Sequence, residues 1–204
     1  MRARRPGRVR RFLLLAHRAS TSPDFRLEDL PGAGRLDLVC RTVAAAFVLS
    51  HGIRRDVRLD LLLQGPPDPP RAVRLEGSGL QRLNPDERST AALLQKALGV
   101  RPTGSYWQPS TPGISVAKTD LAGLVGDAPV VLLEEGGEPI ERAAPGSPAD
   151  AVYVLGDDRG FTEGETGWLR ERAALRVSVS PKSLHADHCV VLLHRALDAR
   201  DAGT

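Results

Sequence analysis

The sequence predicts an α/β domain built on a mainly parallel sheet, and three features carry that expectation. Apolar, β-branched runs alternate with helix-period stretches along the chain, which is the rhythm of βαβ units. The run AVYVLG at residues 151–156 is apolar without alternation, as a strand buried on both faces requires. The C-terminal stretch 175–200, LRVSVSPKSLHADHCVVLLHRALDAR, reads as a short strand, a Ser/Pro/Lys/Ser elbow and a helix. The helix carries an apolar stripe at Leu184, Cys189, Leu192, Leu193 and Ala196, with Ser183 as its cap. A strand that breaks at Pro181 and restarts as a helix leaves several backbone N–H groups in one elbow, where an open α/β sheet binds polar ligands. A cofactor is expected there.

The remaining elements follow in chain order. The first strand covers residues 11–16, preceded by a basic lead-in with six arginines among residues 2–11. A loop, HRASTSPDFRLEDLPGAGR, is punctuated by Pro23, Pro31, Gly32 and Gly34, and a loop of this length in a compact domain is more often functional than idle. A helix is expected over 36–51, apolar at Leu36, Val39, Cys40, Val43, Ala46 and Phe47, with Gly52 ending it. Residues 57–63 and 72–76 read as neighbouring strands around a proline-rich turn. Asn84 as cap, Pro85 at the first helical position and Asp86 and Glu87 in the first turn open a helix over 85–98. Residues 100–112 read as a loop packing Tyr106 and Trp107 onto apolar surface, and GISV and DLAGLVG as a short strand and short helix. Residues 129–134, Gly136-Gly137 and 138–140 read as strand, tight turn and short return. Thr162 and Glu165 form a capping box for a helix to about Arg172.

Composition narrows the function classes. The chain of 204 residues can bury a core as one domain, read as residues 11–204 behind a basic extension of residues 1–10. A net charge of +3 excludes a polycation, yet the only lysines are Lys96, Lys118 and Lys182. Arginine is the better phosphate fork and base stacker, although a GC-rich genome produces the same bias. Cys40 and Cys189 are too few for a disulfide framework, and no CxxC occurs, so a reducing compartment is expected. The start MRARRPGRVRRFLLLAH has the charge of a signal peptide, but FLLLA falls short of the roughly 7 to 15 apolar residues required. No stretch approaches a membrane span. The expected location is cytoplasmic, with no membrane partner.

Three loops, after Leu133, Gly156 and Val179, sit where strands end, the usual ligand side of a parallel sheet. Asp157, Asp158 and Arg159 can hold a ribose or pair with one another. Arg35, Asp37 and Arg41 open a helix, and Asp37 with Arg41 is an i,i+4 pair. Arg54, Arg55 and Arg58 form a second basic group that either contacts phosphates or solvates a turn. His185, His188 and Cys189 have a spacing that metal sites use, but no CxxC or carboxylate triad completes one, so no metal is expected. GxSxG, P-loop and GxGxxG motifs are absent from the sequence, which argues against hydrolases, NTPases and ordinary dinucleotide enzymes.

Five segments carry a resemblance: GRLDLVCR (34–41), SHGIRRDV (50–57), NPDERSTAALLQKAL (84–98), LGDDRGF (155–161) and SPKSLHADHC (180–189). Together they resemble the tRNA pseudouridine-54 N1-methyltransferases described mainly in archaea, members of the SPOUT superfamily, over roughly residues 11–200. LGDDRGF and the arginine-rich extension depart from the family pattern. The resemblance implies an α/β fold with a C-terminal trefoil knot, S-adenosylmethionine (SAM) bound in it, a homodimer and tRNA as partner.

Carried over by position, the resemblance puts the cofactor site at Leu133, Gly156, Val179, Ser180, Pro181, Lys182, Ser183, Leu184 and Cys189. It makes Asp37 the proton acceptor or orienter for N1 of pseudouridine, with Arg41 beside it. Arg35, Arg41, Arg54 and Arg55 are the expected RNA contacts. Three competing readings remain at this stage. One is methylation of another tRNA or small-subunit rRNA pseudouridine, one is a non-catalytic RNA-binding or assembly factor, and one is a metal-dependent hydrolase using His185 and His188.

Overall fold

The structure, a computed structural model, describes residues 8–203; residues 1–7 of the expected basic extension lie outside the described residues. Strand β1 (Arg10–Ala16) is followed after a long loop by α1 (Leu36–Phe47), a small ladder of β2 (Val48–Leu49) with β3 (Gly52–Ile53), and β4 (Val57–Leu63). Then come β5 (Arg71–Glu76), α2 (Glu87–Gly99), β6 (Gln108–Thr111), β7 (Ile114–Ala117) and α3 (Leu121–Val125). The last part holds β8 (Val130–Pro139), α4 (Ile140–Ala143), β9 (Val152–Gly156), α5 (Glu163–Arg172), β10 (Ala173–Ser178) and α6 (Ala186–Ala202).

Eight strands form one sheet in the order β10-β8-β9-β1-β4-β5-β7-β6. The pairings from β10 through β4 are parallel and those from β4 through β6 antiparallel, so the expected mainly parallel sheet carries an antiparallel flank. The apolar run FLLLA is the middle of it. Phe12 and Leu14 pack with α1, α2, α4 and α6 on one face, and Leu13 and Leu15 with α3 and α5 on the other. Burial of both faces is why this run shows no polar alternation.

Several local expectations are corrected. Helix α1 ends at Phe47, not His51, because Val48 turns extended (ψ 130°) and pairs back onto Ile53. Gly52 therefore belongs to β3. Helix α2 is capped by Asp86, whose side chain accepts from the Ser89 N–H at 2.7 Å, so Asn84 and Pro85 precede it. Residues 108–111 form an edge strand where a loop was expected. Trp107 packs under the Arg74 guanidinium, 3.9 Å from ring centre to Cζ, whereas Tyr106 is 81% exposed. The Thr162–Glu165 capping box is formed in full.

Arg10 is not part of a free basic arm. It opens β1 and lies buried, paired with Asp198 at 2.8 Å and Asp201 at 2.9 Å on the last turns of α6. Beside it His194, 3% exposed, stands edge-on to Phe12. Its Nε2 is 3.0 Å from the Ala46 carbonyl and its Nδ1 is 3.1 Å from an Arg10 Nη1. The carbonyl can only accept and the guanidinium can only donate, so the ring is the neutral Nε2–H tautomer. Burial, reinforced by the charges of Arg54 and Arg10, pushes its pKa down to about 4.

An unfolded histidine, at 6.5, takes up its proton well before this one does, so stability is lost as the pH falls from 6.5 through about 4. The loss is on the order of 2–3 kcal/mol. His194→Gln keeps one donor and one acceptor but cannot titrate. Urea unfolding from pH 7 to pH 4 is expected to show a flatter stability profile in the variant than in the wild type, and equal slopes would contradict this assignment.

Candidate active site

The site is built by three adjacent parallel strands. The register of β8 against β10 jumps from Leu132↔Arg176 to Glu138↔Val177, so residues 133–137 bulge out of the ladder. Gly136-Gly137 is thus not the turn of a short return strand, because β8 continues in the same direction past it. A Cβ at Gly137 would stand 2.4–2.7 Å from the backbone of Val177, so the bulge lies directly on β10 and only glycine fits. At the end of β9 the chain turns tightly over residues 156–160, with the Asp157 carbonyl accepting from Gly160 N–H at 3.1 Å. Gly160 has φ +72°, and a Cβ at Gly156 would meet the Gly160 carbonyl oxygen at 2.5 Å. After β10 the elbow runs to His185. Ser178 and Ser180 brace it, the Ser178 hydroxyl donating to the Ser180 carbonyl at 2.8 Å and the Lys182 N–H to the Ser180 hydroxyl at 3.0 Å.

These three segments enclose a cavity of about 490 Å³, within the range of small-molecule sites. Leu133, Gly156, Val179, Ser180, Lys182, Ser183, Leu184 and Cys189 all line it, and Pro181 does not. Leu155, Val177 and Phe161 add apolar wall; Glu134, Asp157 and Asp158, each paired with an arginine or histidine, line it with Glu135, Arg159 and Lys182. Apolar wall, hydroxyls, backbone groups and charges of both signs suit a ligand with a flat apolar ring, a sugar and a charged tail.

The last helix departs from its sequence reading. It begins at Ala186, with His185 at the cap position and no side-chain cap, so Ser183 stays in the elbow. Its buried residues are Val190, Leu193, His194, Ala196 and Leu197, while Leu184 lies ahead of the helix. Cys189 turns toward the cavity, and burial together with Asp187 pushes its thiol up to about 11. His185 and His188 have ring centres 6.2 Å apart. Among the described residues no three His, Cys, Asp or Glu side chains converge on a metal position.

A polar cluster borders the cavity. Arg35 is left-handed (φ 67°) at the start of α1 and forks onto Asp37 at 3.0 and 3.1 Å, while its other nitrogen approaches Asp158 at 3.7 Å. Arg41 faces Asp37, Glu87 and Asp187 at 3.5–3.7 Å. Burial alone would raise the Asp37 carboxyl; the Arg35 hydrogen bonds and the Arg35 and Arg41 charges hold it below the usual carboxylate range. Arg35, Asp158, His185 and Ala186 line a small cleft that shares its last three with the main cavity.

Arg54 and Arg55 stand elsewhere. Arg54 forks onto Asp198 at 3.0 and 2.7 Å, and Arg55 donates to the carbonyls of Gly77 and Leu80. Both precede β4, at the end of the parallel strands opposite the cavity.

His17, immediately after β1, was not singled out by sequence reasoning. Its Nδ1 lies 3.1 Å from Asp157 and its Nε2 2.8 Å from Glu165. Its partners are 140 and 148 residues further along, so no local spacing marks it. A second cavity, of about 380 Å³, follows the loop between β1 and α1 along Arg18, Arg26 and Gly34.

Comparison with known proteins adds the following. The family of SAM-dependent RNA methyltransferases matches residues 9–202. The tRNA (pseudouridine(54)-N(1))-methyltransferase of Haloarcula marismortui is 46% identical over 197 residues, covering 93% of this chain and 96% of that protein. Its counterpart from Methanosarcina acetivorans is 46% identical over 198 residues, covering 95% and 93%. Among solved structures, Archaeoglobus fulgidus Nep1 bound to S-adenosylhomocysteine aligns with a TM-score of 0.66 at 14% identity, over 95% of this chain and 99% of that one. That last likeness is one of fold.

The cavity makes one chemical prediction of its own. With its thiol pKa near 11 against an ordinary 9.0, Cys189 should react with iodoacetamide at pH 8 about a hundredfold more slowly than a free cysteine. A mass-spectrometric time course reads this, and a rate like that of free thiol would contradict the burial described.

Proposed function

We propose that this chain, which belongs to the family of SAM-dependent RNA methyltransferases, methylates N1 of pseudouridine 54 in tRNA. The observation that carries the reading is the meeting of the 133–137 bulge, the Gly156 turn and the SPKSLHADHC elbow around one cavity. It occurs in a chain 46% identical to enzymes named for that reaction.

The cavity fits SAM by the chemistry of its walls. Leu133, Leu155, Val179 and Leu184 offer an apolar slot for an adenine, and Gly156, where a Cβ would strike the Gly160 backbone, lets the 156–160 turn close beside it. Backbone and hydroxyl groups of residues 178–183 suit the ribose and carboxylate, and Glu135 in the same wall suits a cationic group. Bound SAM supplies a methyl carbon on a sulfonium, with a neutral thioether as leaving group. Since the leaving group is already good, positioning and exclusion of water by the elbow carry much of the rate.

The substrate nitrogen must lose its proton. Asp37, held ionised by Arg35 and Arg41, is a weak base, so its role is to accept the N1–H hydrogen bond and turn the nitrogen toward the cavity, the proton passing to solvent water. Arg35, in the cleft that joins the cavity, and Arg41, paired with Asp37 beside it, are the contacts proposed for the base or its phosphates. A base in an RNA loop reaches such a site by leaving its stack, and is read by shape and phosphate contacts.

The finer features of the reading are a knot and a dimer. The chain leaves β9, crosses to β10 beyond β8, and returns to lay α6 against α1; this path supports a trefoil knot closed by α6. Val191 on α6 is 54% exposed and Leu184, in the cavity wall, 37%; exposed apolar side chains at the elbow and on α6 support a homodimer packed through this helix. The family match over residues 9–202 supports reading residues 11–204 as one catalytic domain, and a tRNA substrate supports a cytoplasmic location. Among the described residues no helix is long and apolar enough to cross a membrane.

The test is nucleoside mass spectrometry after incubation of the protein and SAM with paired tRNA transcripts carrying pseudouridine or uridine at position 54. N1-methylpseudouridine is expected from the first alone. Asp37→Asn should slow its formation about a hundredfold or more while leaving SAM affinity within about twofold. Methylation of both transcripts or neither would contradict the substrate, and an undiminished rate in the variant would remove Asp37 from the chemistry.

A further inference from the structure

We infer that His17 is a positioning residue for the methyl-transfer reaction: as an imidazolium between Asp157 and Glu165 it fixes both ends of the loop 157–162 and preorganises the cavity for SAM. The inference rests on the reading of that cavity as the cofactor site.

The geometry sets the charge. Nδ1 faces an Asp157 oxygen at 3.1 Å and Nε2 a Glu165 oxygen at 2.8 Å. An ionised carboxylate only accepts, and a neutral imidazole has a single N–H, so a neutral ring would aim a lone pair at one of the two carboxylates. The doubly protonated ring satisfies both. The ring is 14% exposed, and its carboxylate partners are 9% and 15% exposed, so water competes little for these contacts.

The remaining bonds show what the ring holds. Asp157 Oδ2 also accepts the His17 backbone N–H at 2.7 Å, and its Oδ1 accepts the Arg159 N–H at 2.9 Å, inside the turn that closes the cavity. Glu165 accepts the Thr162 N–H and hydroxyl, both at 2.9 Å, and Gln64 at 3.2 Å. Residues 157–161 all line the cavity. One cation thus ties the end of β1 to the start of that loop and to the capping box where the loop ends.

Asp157 comes from the loop after β9 and Glu165 from α5; the residue after β4 is the uncharged Gln64, and neighbouring Arg18 turns its guanidinium to Asp158. The Asp157 hydrogen bond, outweighing burial and joined by Glu165, pushes the His17 pKa up to about 9. The sign follows: the contribution is complete below 6.5, the unfolded value, and is lost as pH rises through about 9.

The test is calorimetric titration of SAM into wild type, His17→Gln and Gly156→Val between pH 7 and pH 10, with melting temperatures alongside. At pH 7.5 His17→Gln should bind SAM on the order of tenfold more weakly, and the gap should close as pH passes about 9. The amino group of SAM titrates in both proteins, so their affinity ratio isolates His17. A ratio of one at all pH values, with only a lowered melting temperature, would overturn the inference. Should His17→Gln not fold, Glu165→Gln, which keeps the capping box, carries the test: the wild-type loss of affinity should move to lower pH, and an unmoved loss would overturn it. Gly156→Val separates the two readings. If it binds SAM like wild type, the cavity assignment fails; if it binds none while His17→Gln matches wild type, the clamp alone fails.

Discussion

The site depends on one interruption in a parallel ladder. Between Leu132 and Glu138, β8 leaves β10 and re-enters it a single partner later, so five residues project from a strand that lies between β10 and β9. Gly137 makes this possible because its bare Cα sits against the Val177 backbone. With that bulge in place, β9 can end level with it at Gly156, and the elbow after β10 can close the third side. A side chain at 137 would separate β8 from β10 and open the cavity at its base. The apolar run of β1 beneath, buried on both faces, gives the three loops a stiff platform.

Arginine holds the periphery together, and its role is more structural than its abundance implies. Arg10 and Arg54 converge on Asp198; Arg74 forks onto Asp60, and Arg58 meets Glu76 between antiparallel neighbours. A planar guanidinium serves these paired carboxylates better than a lysine ammonium would. Arg35 and Arg41 differ, because Arg35 reaches Asp158 on the cavity wall and both arginines pair with Asp37 beside it. The same residue type thus stiffens one end of the parallel strands and, at the other, is proposed to meet the substrate.

Much of this was legible in the sequence wherever local chemistry forces local structure. FLLLA and AVYVLG, short and apolar without alternation, read as buried strands. Thr162 with Glu165 could be read as a cap because both partners lie within one turn. Gly156 and the Ser/Pro/Lys/Ser elbow marked two sides of the cavity by interrupting β-branched runs, and eight of the nine residues expected at the cofactor site line it. The failures have a common origin. Gly136-Gly137 has the same local signature in a hairpin turn and in a bulge, and only the presence of β10 alongside decides between them. Ser183 and Asn84 are good capping residues that lost to the backbone path of an elbow and to Asp86. His17, Arg10 and His194 take their roles from partners well over a hundred residues distant, which no periodicity encodes.

The central claim is that the cavity between the bulge, the glycine turn and the elbow is where SAM binds. Hydrogen exchange with and without S-adenosylhomocysteine tests it directly, peptide by peptide. Protection is expected in residues 133–137, 156–161 and 178–185, with the cavity along Arg18 to Gly34 unchanged. Protection confined to that second cavity, with the three segments exchanging as before, would contradict the account.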